Sequence, residues 1–368
     1  MTHSSTAYGF LGAAILSAIF IPGTAFAHSL DDEYISSLGT SENWELPADG
    51  PAAAPEKSVV FVAASLRNSG ILGVVEGVVE ASEAIGWGLT VTDARGSAEM
   101  IAAALDEALA APPDGLVVGG FDAASYADRL RRLATAGTEI VGWHAGPQPG
   151  PILDASVFFN VSTDPRGVAC VATMHAIAQA GQSFGAVIFT DDRFGIALEK
   201  SNAMRDLVDA CDTCTLLEVV NVRLDETATR MPAVVEELLQ KHGDAWTVSL
   251  GINDLYFDDA VVAFSLGGIA PSGQIMNISA GDGSLTAYRR IRLANYQAAT
   301  VPEPLNFQGW QLIDELNRAI SDEEPSGFVA PTKLVIKANV DEEGGQKNLF
   351  DPDNGYRDRY RQTWLSTD

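Results

Sequence analysis

The sequence predicts an α/β protein with two doubly wound lobes, each built around a parallel sheet. From Ser58 onward, short apolar runs rich in β-branched residues alternate with longer stretches in which apolar residues recur at helical spacing. The short runs are continuous rather than alternating in polarity, which is typical of parallel strands buried on both faces. They form about ten strand–helix units, more than one open sheet usually holds, so we expect two sheets.

The predicted strands consist mostly of valine, isoleucine, phenylalanine, threonine and leucine, which suit a buried pleated surface. In chain order they are SVVFVAA, LTVTD, GLVVGG, TEIVGW and SVFFN, then GAVIFT, TLLEVVNV, WTVSLG, IMNIS, YQAAT and KLVIK. The segment FFNVSTDPRG, residues 158–167, is the expected boundary between the two lobes.

Helical patterns fill the gaps between these strands. In the first of them, Ile71, Val74, Val75, Val78 and Ile85 fall on one face of a helix. Similar patterns occur in SAEMIAAALDEALAA, DAASYADRLRRLATAG, DPRGVACVATMHAIAQAG and TRMPAVVEELLQKHG, and several close with glycine, a usual helix stop. The final stretch DEEGGQKNLFDPDNGYRDRYRQTWL predicts a polar loop followed by a short terminal helix.

Length and charge limit the classes of function. The 368 residues suffice for two cores, and 46% hydrophobic with 20% charged residues is ordinary for a globular protein. The formal net charge of −26 repels phosphate backbones and anionic lipid, and no block of basic residues offsets it. We therefore expect no nucleic-acid partner, and the acidity itself is typical of a soluble protein.

The N-terminus predicts export. The apolar run at 10–21 is short for a membrane span, Pro-Gly at 22–23 breaks it, and AFA at 25–27 has the small-x-small pattern of a cleavage site. We therefore expect residues 1–27 to be a signal peptide and the mature protein to lie in the periplasm; an uncleaved N-terminal anchor is the alternative. Residues 28–56 form an acidic, then Pro/Ala-rich leader that we expect to be poorly ordered.

The three cysteines fit an oxidising compartment. Cys211 and Cys214 form a CDTC segment that ends a predicted helix and precedes a strand. A redox motif of the thioredoxin type follows a strand and opens a helix instead, so we expect a small structural disulfide. Cys170 lies in an apolar helical stretch, which predicts a buried free thiol.

Known catalytic and cofactor patterns do not occur in the sequence. No G-x-G-x-x-G follows a strand, and neither a phosphate-binding P-loop nor a G-x-S-x-G nucleophile elbow is present. Four histidines remain after signal removal: His28, His144, His175 and His242. His175 on an apolar helix and His242 at a helix end do not pair with a second ligand at metal spacing. We therefore expect neither an enzyme nor a bound cofactor or metal.

Polar and aromatic residues follow the carboxyl ends of the predicted strands, where open α/β sheets bind ligands. Any one of them alone is more often a helix cap or a solvated turn, but two facing lobes lined in this way indicate a cleft. The set comprises Ser65, Arg67, Asn68 and Ser69; Phe121 and Asp122; Trp143 and His144; Asp191, Asp192, Arg193 and Phe194; Asn253 and Asp254; Ser279 and Asp282; and Glu303.

Over roughly residues 57–340 the chain resembles the type I periplasmic substrate-binding proteins, the ribose-binding-protein group of ABC transporters. The same fold serves as the effector domain of lactose-repressor-type regulators, but no helix-turn-helix or basic patch precedes the first strand here. The order and spacing of five pieces produce the resemblance: VVFVAASLRNSGILGVVEGVVEASEAIGW, FFNVSTDPRG, GINDLYFDDA, NISAGDG and YQAATVPEPLNFQGWQLIDELNRAI.

The resemblance implies two lobes joined by a hinge. The N-terminal lobe would comprise 57–160 plus about 303–325, and the C-terminal lobe 161–302 plus about 326–340, with 341–368 as a tail. Such receptors close around a ligand between the lobes.

The resemblance also implies the ligand contacts. Asn68 matches an asparagine placed against the sugar, and Asn253 matches a second one, while Asp254 would cap the following helix. Glu303 stands where the family has a polar residue beside the hinge, and Lys200 matches a basic residue that faces the cleft.

Several positions depart from the pattern of the family. His144 is nearest to a place where an aspartate often grips two hydroxyls, and Ser279 stands where a later hinge-side aspartate is expected. Gly70 and Ile71 replace two aromatic residues after the first asparagine. We expect other aromatic side chains either to supply stacking or to pack in the core: Phe121, Trp143, Phe194, Tyr256 and Phe257.

The expected function is that of a monomeric periplasmic receptor that binds a sugar or polyol and delivers it to an ABC permease in the inner membrane. Buried hydrogen bonds to hydroxyls would supply affinity, and covalent chemistry is not required. A periplasmic sensor that presents the ligand to a membrane signalling receptor needs the same cleft and remains the alternative. An apolar ligand held by the aromatic residues is a further one.

Overall fold

The computed structural model describes residues 33–41, 44–181 and 183–366, so the expected signal peptide lies outside the described residues. It confirms an α/β fold with two six-stranded sheets in which parallel pairs dominate. Within the described ranges no helix is long and apolar enough to cross a membrane.

The first sheet has the strand order β2-β1-β3-β4-β6-β5. Neighbouring strands of this sheet are parallel, except that the edge strand β5 runs antiparallel to β6. The sequence did not predict β5. This strand has only three residues with a central Pro151, and proline lacks the N–H that a central strand would need. The strands are β1 (Ser58–Ala63), β2 (Gly88–Asp93), β3 (Gly115–Gly119), β4 (Glu139–Trp143), β5 (Gly150–Ile152) and β6 (Val157–Val161).

The second sheet has the order β12-β11-β10-β9-β7-β8 and ends in one antiparallel pair, β11 with β12. Each sheet reverses its strand order between two inner strands, and ligands of open α/β sheets bind beside such a switch point. The strands are β7 (Phe184–Thr190), β8 (Cys214–Asn221), β9 (Val248–Gly251), β10 (Met276–Ser279), β11 (Ala299–Thr300) and β12 (Val335–Ile336).

Helices cover the sheets and connect most of the parallel strands. The predicted short terminal helix is present, and single 3₁₀ turns precede or follow some of the others. The helices are α1 (Ser69–Ile85), α2 (Ala98–Ala110), α3 (Ala127–Thr135), α4 (Pro165–Ala180), α5 (Gly195–Ala210), α6 (Thr227–His242), α7 (Leu255–Leu266), α8 (Leu285–Leu293), α9 (Leu305–Ile320), α10 (Val340–Gly344) and α11 (Tyr356–Trp364).

The chain passes between the two sheets at three places, 162–164, 301–304 and 321–334. Between the second and third crossings lies α9, whose apolar residues belong to the core of the first sheet. This helix packs against α1 backbone to backbone, since a Cβ atom on Gly309 would lie 2.6 Å from the carbonyl carbon of Gly77. The lobe boundaries given above remain a prediction.

Residues 44–56 are part of the folded molecule, so the expectation of a poorly ordered leader is wrong for them. The N–H of Ala54 donates to Oδ1 of Asn317 at 3.0 Å, and Nδ2 of Asn317 donates to the carbonyl of Pro51 at 3.0 Å. The N–H of Ala53 donates to the carbonyl of Trp364 at 3.0 Å. The leader is thus ordered by tertiary contacts with α9 and α11, which local composition does not reveal.

Residues 33–41 contact the second sheet rather than the first. The hydroxyl of Tyr34 lies 3.2 Å from Nδ1 of His175, and the N–H of Leu334 donates to the carbonyl of Ser37 at 2.9 Å. Burial lowers the pKa of His175 to about 4, so this ring is neutral at pH 7. The N-terminal segment therefore contacts both lobes on its way to β1.

The cysteines have the expected arrangement. Cys211 and Cys214 form a disulfide between the end of α5 and the start of β8, with Cα atoms 5.3 Å apart. Cys170 is a buried free thiol, and burial raises its pKa to about 11, which keeps it protonated and unreactive.

Candidate functional site

A cavity of about 480 Å³ lies between the lobes, and residues that follow strands of both sheets line it. Because the carboxyl ends of β1, β3, β4, β7 and β9 point at the same space, side chains distant in sequence meet there. Seven of the predicted ligand contacts line this cavity: Asn68, Phe121, Trp143, His144, Phe194, Lys200 and Asn253.

Aromatic rings form the wall on the first-sheet side. The rings of Trp143 and His144 stack with centroids 3.8 Å apart and an interplanar angle of 13°. Nε1 of Trp143 donates to Oε1 of Gln308 at 2.7 Å, which fixes the indole against α9. Phe121 packs edge-on against Tyr126, with centroids 5.2 Å apart. The wall therefore combines apolar ring surface with one imidazole.

The floor on the second-sheet side combines an amide, a carboxylate and an ammonium group. Nδ2 of Asn253 donates to Oδ2 of Asp282 at 2.6 Å, while Oδ1 of Asn253 accepts from the N–H of Leu255 at 3.0 Å. Lys200, which is 3% exposed, reaches the same cavity from α5. These three groups together can both donate and accept hydrogen bonds.

Asp282 is a cavity residue that the residue-by-residue comparison with the family missed. Burial raises the pKa of its carboxyl, and the charge of Glu303 adds to this, while Lys200, His144 and Asn253 oppose it. The family resemblance instead implies an aspartate at the position of Ser279, three residues earlier. The available signal was that Asp282 also follows the strand end after IMNIS.

Gly70 has no side chain where the family has an aromatic one, and the structure shows what occupies that space. A Cβ atom on Gly70 would lie 2.4 Å from Oδ2 of Asp282. The carboxylate of one lobe thus reaches the first turn of α1 in the other, and any larger residue at this position would displace it.

Glu303 lies behind the wall of the cavity and is completely buried. Its Oε2 accepts from the N–H of Thr163 at 3.2 Å and from Nε2 of Gln308 at 2.7 Å, which joins the first and second chain crossings. Its Oε1 lies 3.5 Å from Nε2 of His144 and 3.9 Å from Nζ of Lys200.

The pKa of Glu303 reflects these neighbours. Burial raises it, but His144 beside the carboxylate, the charge of Lys200 and the hydrogen bond from Thr163 hold it well below its usual range. Glu303 is therefore ionised and lies next to His144 and Lys200, behind the surface of the cavity rather than on it.

Three further predicted contacts also do not line the cavity: Ser69, Asp254 and Ser279. Ser69 is the first residue of α1, after Asn68, whose Oδ1 caps that helix by accepting from the N–H of Gly70 at 2.8 Å. The hydroxyl of Ser279 donates to the carbonyl of Gly281 at 2.7 Å inside the fold.

The expectation that Asp254 caps its own helix, α7, is wrong. Its Oδ2 accepts from the N–H groups of Gly283 and Ser284 at 2.9 and 3.0 Å, and its Oδ1 accepts from Nε2 of Gln297 at 2.7 Å. Asp254 therefore fixes the turn before α8, while Asn253 caps α7. Burial raises the pKa of Asp254 to about 6, although these hydrogen bonds oppose it.

The cavity lining also includes further charged residues, among them Arg193 and Asp225. Arg193 pairs with Asp191 through Nη2 at 2.6 Å and with Asp225 at 2.7 Å.

Tyr256 and Phe257 are not in the cavity but in the core of the second sheet. Within the described ranges, no group of three or more His, Cys, Asp or Glu residues could hold a metal ion.

Comparison with known proteins gives a family and a fold. A family model described as a periplasmic binding protein domain matches residues 59–324. A search of curated proteins finds no match.

Three solved structures illustrate the structural likeness. An ABC transporter solute-binding protein from Agrobacterium vitis with bound allitol is 16% identical, and the match covers 78% of this chain and 97% of that one with a TM-score of 0.65. The glucose-galactose binding protein GanP from Geobacillus stearothermophilus is 16% identical over 78% and 99% of the two chains, with a TM-score of 0.68. An arabinose-transporter binding protein from Shewanella sp. ANA-3, bound to arabinofuranose, is 13% identical over 84% and 99%, with a TM-score of 0.69. At these identities the likeness shows a shared fold.

Proposed function

Because the chain belongs to the periplasmic binding protein family, we propose that it is the solute receptor of an ABC transporter and captures a sugar or polyol in the cavity between its lobes. The receptor would act in the periplasm, after removal of its signal peptide, and deliver the ligand to a permease in the inner membrane. It would act as a monomer and without covalent chemistry.

The main supporting observation is the floor formed by Asn253, Asp282 and Lys200 opposite the ring wall. A hydroxyl both donates and accepts, so a polyhydroxylated ligand can use the carboxylate as acceptor, the ammonium as donor and the amide as either. The ring of Phe121 and the stacked rings of Trp143 and His144 line the cavity and suit the C–H surface of such a ligand. A volume of about 480 Å³ lies within the range usual for small-molecule sites.

The solved structures that resemble this chain support the same ligand class. The proteins described with allitol, with glucose and galactose, and with arabinofuranose share this fold. Charge adds a further argument, since a chain with a net charge of −26 does not attract anionic ligands over distance.

The experiment is calorimetric titration of the mature protein with a panel that includes allitol, glucose, galactose and arabinose, followed by the variant Asp282→Asn with each binder. The variant keeps the shape of the side chain but removes the charged acceptor, so we expect binding to weaken by about 10- to 100-fold. Asp209→Asn is the matched control, because Asp209 is exposed on α5 far along the helix from the cavity.

Unchanged affinity in Asp282→Asn would contradict the assigned site. Absence of binding to every sugar and polyol tested would contradict the ligand class. Transport and sensing use the same cleft, so uptake of the bound solute by cells with and without the gene separates the receptor from the sensor.

A further inference from the structure

Helix α5 begins without a capping side chain of its own. Its N-cap residue is Phe194, which offers no acceptor for the first N–H groups of the helix. A helix N-terminus with free N–H groups is normally satisfied by Ser, Thr, Asp or Asn at this position. Here the acceptor comes from the other lobe, because the N–H of Gly195 donates to Oδ2 of Asp122 at 3.1 Å.

The two lobes are in contact around this hydrogen bond. A Cβ atom on Gly195 would lie 3.3 Å from Cβ of Pro147, which belongs to the first lobe. A Cβ atom on Gly96 would likewise lie 3.4 Å from Cβ of Asp225 in the second lobe. The bond therefore depends on this arrangement of the lobes and would break when they separate.

Among the described residues, the side chain of Asp122 makes no hydrogen bond within its own lobe. It precedes the 3₁₀ turn Ala123–Tyr126 but makes no side-chain capping bond to it. Its second oxygen, Oδ1, is buried and has no hydrogen-bond partner among the described residues. Burial raises the pKa of this carboxyl, and the N–H of Gly195 opposes the shift. The partial positive charge of a helix N-terminus also favours a carboxylate there.

We propose that Asp122 caps helix α5 across the cleft and thereby holds the two lobes together. The capping bond exists only when the lobes are in contact, as they are here. Its free energy therefore favours this closed arrangement over an open one. The proposal rests on the proposed function in one respect: holding the lobes together serves to retain a ligand. The effect of the capping bond on lobe closure can be measured without a ligand.

The test uses the mature protein without ligand and two spin labels. Ala103→Cys on α2 and Ala233→Cys on α6 place the labels on exposed positions of opposite lobes, while Cys170 is buried. Pulsed electron paramagnetic resonance then gives the fraction of molecules at the closed distance. Three backgrounds are compared with the labelled wild type: Asp122→Ala, Gly195→Pro and the double variant.

Gly195→Pro removes the donor without changing Asp122. Proline is well tolerated at the first position of a helix, and Phe194 has the extended backbone, with φ −114° and ψ 126°, that a residue before proline requires. Gly195→Ala is the matched control, because it adds the same Cβ atom beside Pro147 and keeps the N–H. Asp128→Ala controls for loss of a carboxylate in the same region, since Asp128 is exposed and outside the cavity.

We expect Asp122→Ala and Gly195→Pro each to lower the closed-to-open ratio about fivefold, the effect of a typical N-cap, and the double variant to lower it no further. Additive effects, or a wild-type ratio in Asp122→Ala, would overturn the proposal. A wild type that does not populate the closed distance would overturn it as well. None of these outcomes depends on whether the ligand is a sugar.

Discussion

Asn253 and Asp254 are neighbours in the sequence but serve different parts of the molecule. Asn253 caps α7 and holds the cavity carboxylate Asp282, whereas Asp254 fixes the turn before α8. The sequence indicates that a polar pair lies at a strand end. It does not indicate which partner each side chain takes, because that choice depends on a turn some thirty residues later in the chain.

Glu315 is a second buried acid, located at a structural position rather than at the cavity. It is completely buried on α9, and its carboxylate accepts from the N–H of Ser326 at 3.2 Å and from the hydroxyl of Ser326. Burial raises its pKa to about 7, the neighbouring Asp314 adds to this, and the bonds from Ser326 oppose it.

We predict that Glu315 makes the protein less stable as the pH rises. Its folded-state pKa lies above the unfolded value, so the folded protein retains a proton that the unfolded chain releases between about pH 4.5 and 7. The contribution is fully present below pH 4.5 and is lost as pH rises through 7, in total about 3 kcal/mol. Urea unfolding of Glu315→Gln at pH 5 and pH 8 should show a smaller difference than the wild type. The exposed Glu324→Gln serves as control, and an equal pH difference in wild type and Glu315→Gln would contradict the assignment.

The terminal helix α11 shows how elements at the chain ends support the first lobe. Its Trp364 stacks on Trp310 of α9, with ring centroids 5.4 Å apart and planes 3° from parallel. Nε1 of Trp364 donates to Oδ1 of Asp314 at 3.0 Å. Together with residues 44–56, this helix packs against α9. A segment outside the two sheets thus completes a core that the strand–helix pattern alone would leave open.

We predict that Trp364→Ala lowers the free energy of unfolding by about 3–5 kcal/mol, because it leaves a large cavity and removes a partner of a buried carboxylate. The neighbouring Leu365 is 69% exposed, so Leu365→Ala should change stability little and is the matched control. Denaturant unfolding measures both. Similar stabilities for the two variants would mean that α11 is not part of the cooperative core.

Across the whole molecule, the sequence predicted the regular elements but not the contacts between distant segments. The order of the long strands and helices followed from periodicity, because buried parallel strands and amphipathic helices each impose a pattern on the sequence. The packing of residues 44–56 did not follow from periodicity, since it depends on α9 and α11 far away in the chain. The edge strand β5 did not either, because three residues with a central proline carry no strand pattern. At the cavity, strand ends identified the region, but backbone approach at Gly70 and the position of Asp282 are properties of the assembled lobes.

The central claim is that the cleft between these lobes holds a sugar or polyol. The most direct test is mass spectrometry of the small molecule released by denaturing the exported protein after purification from the periplasm. We predict a polyhydroxylated compound in near-stoichiometric amount, and a clearly smaller amount from a preparation of Asp282→Asn. A released compound without several hydroxyl groups, or the same yield from both proteins, would contradict the account.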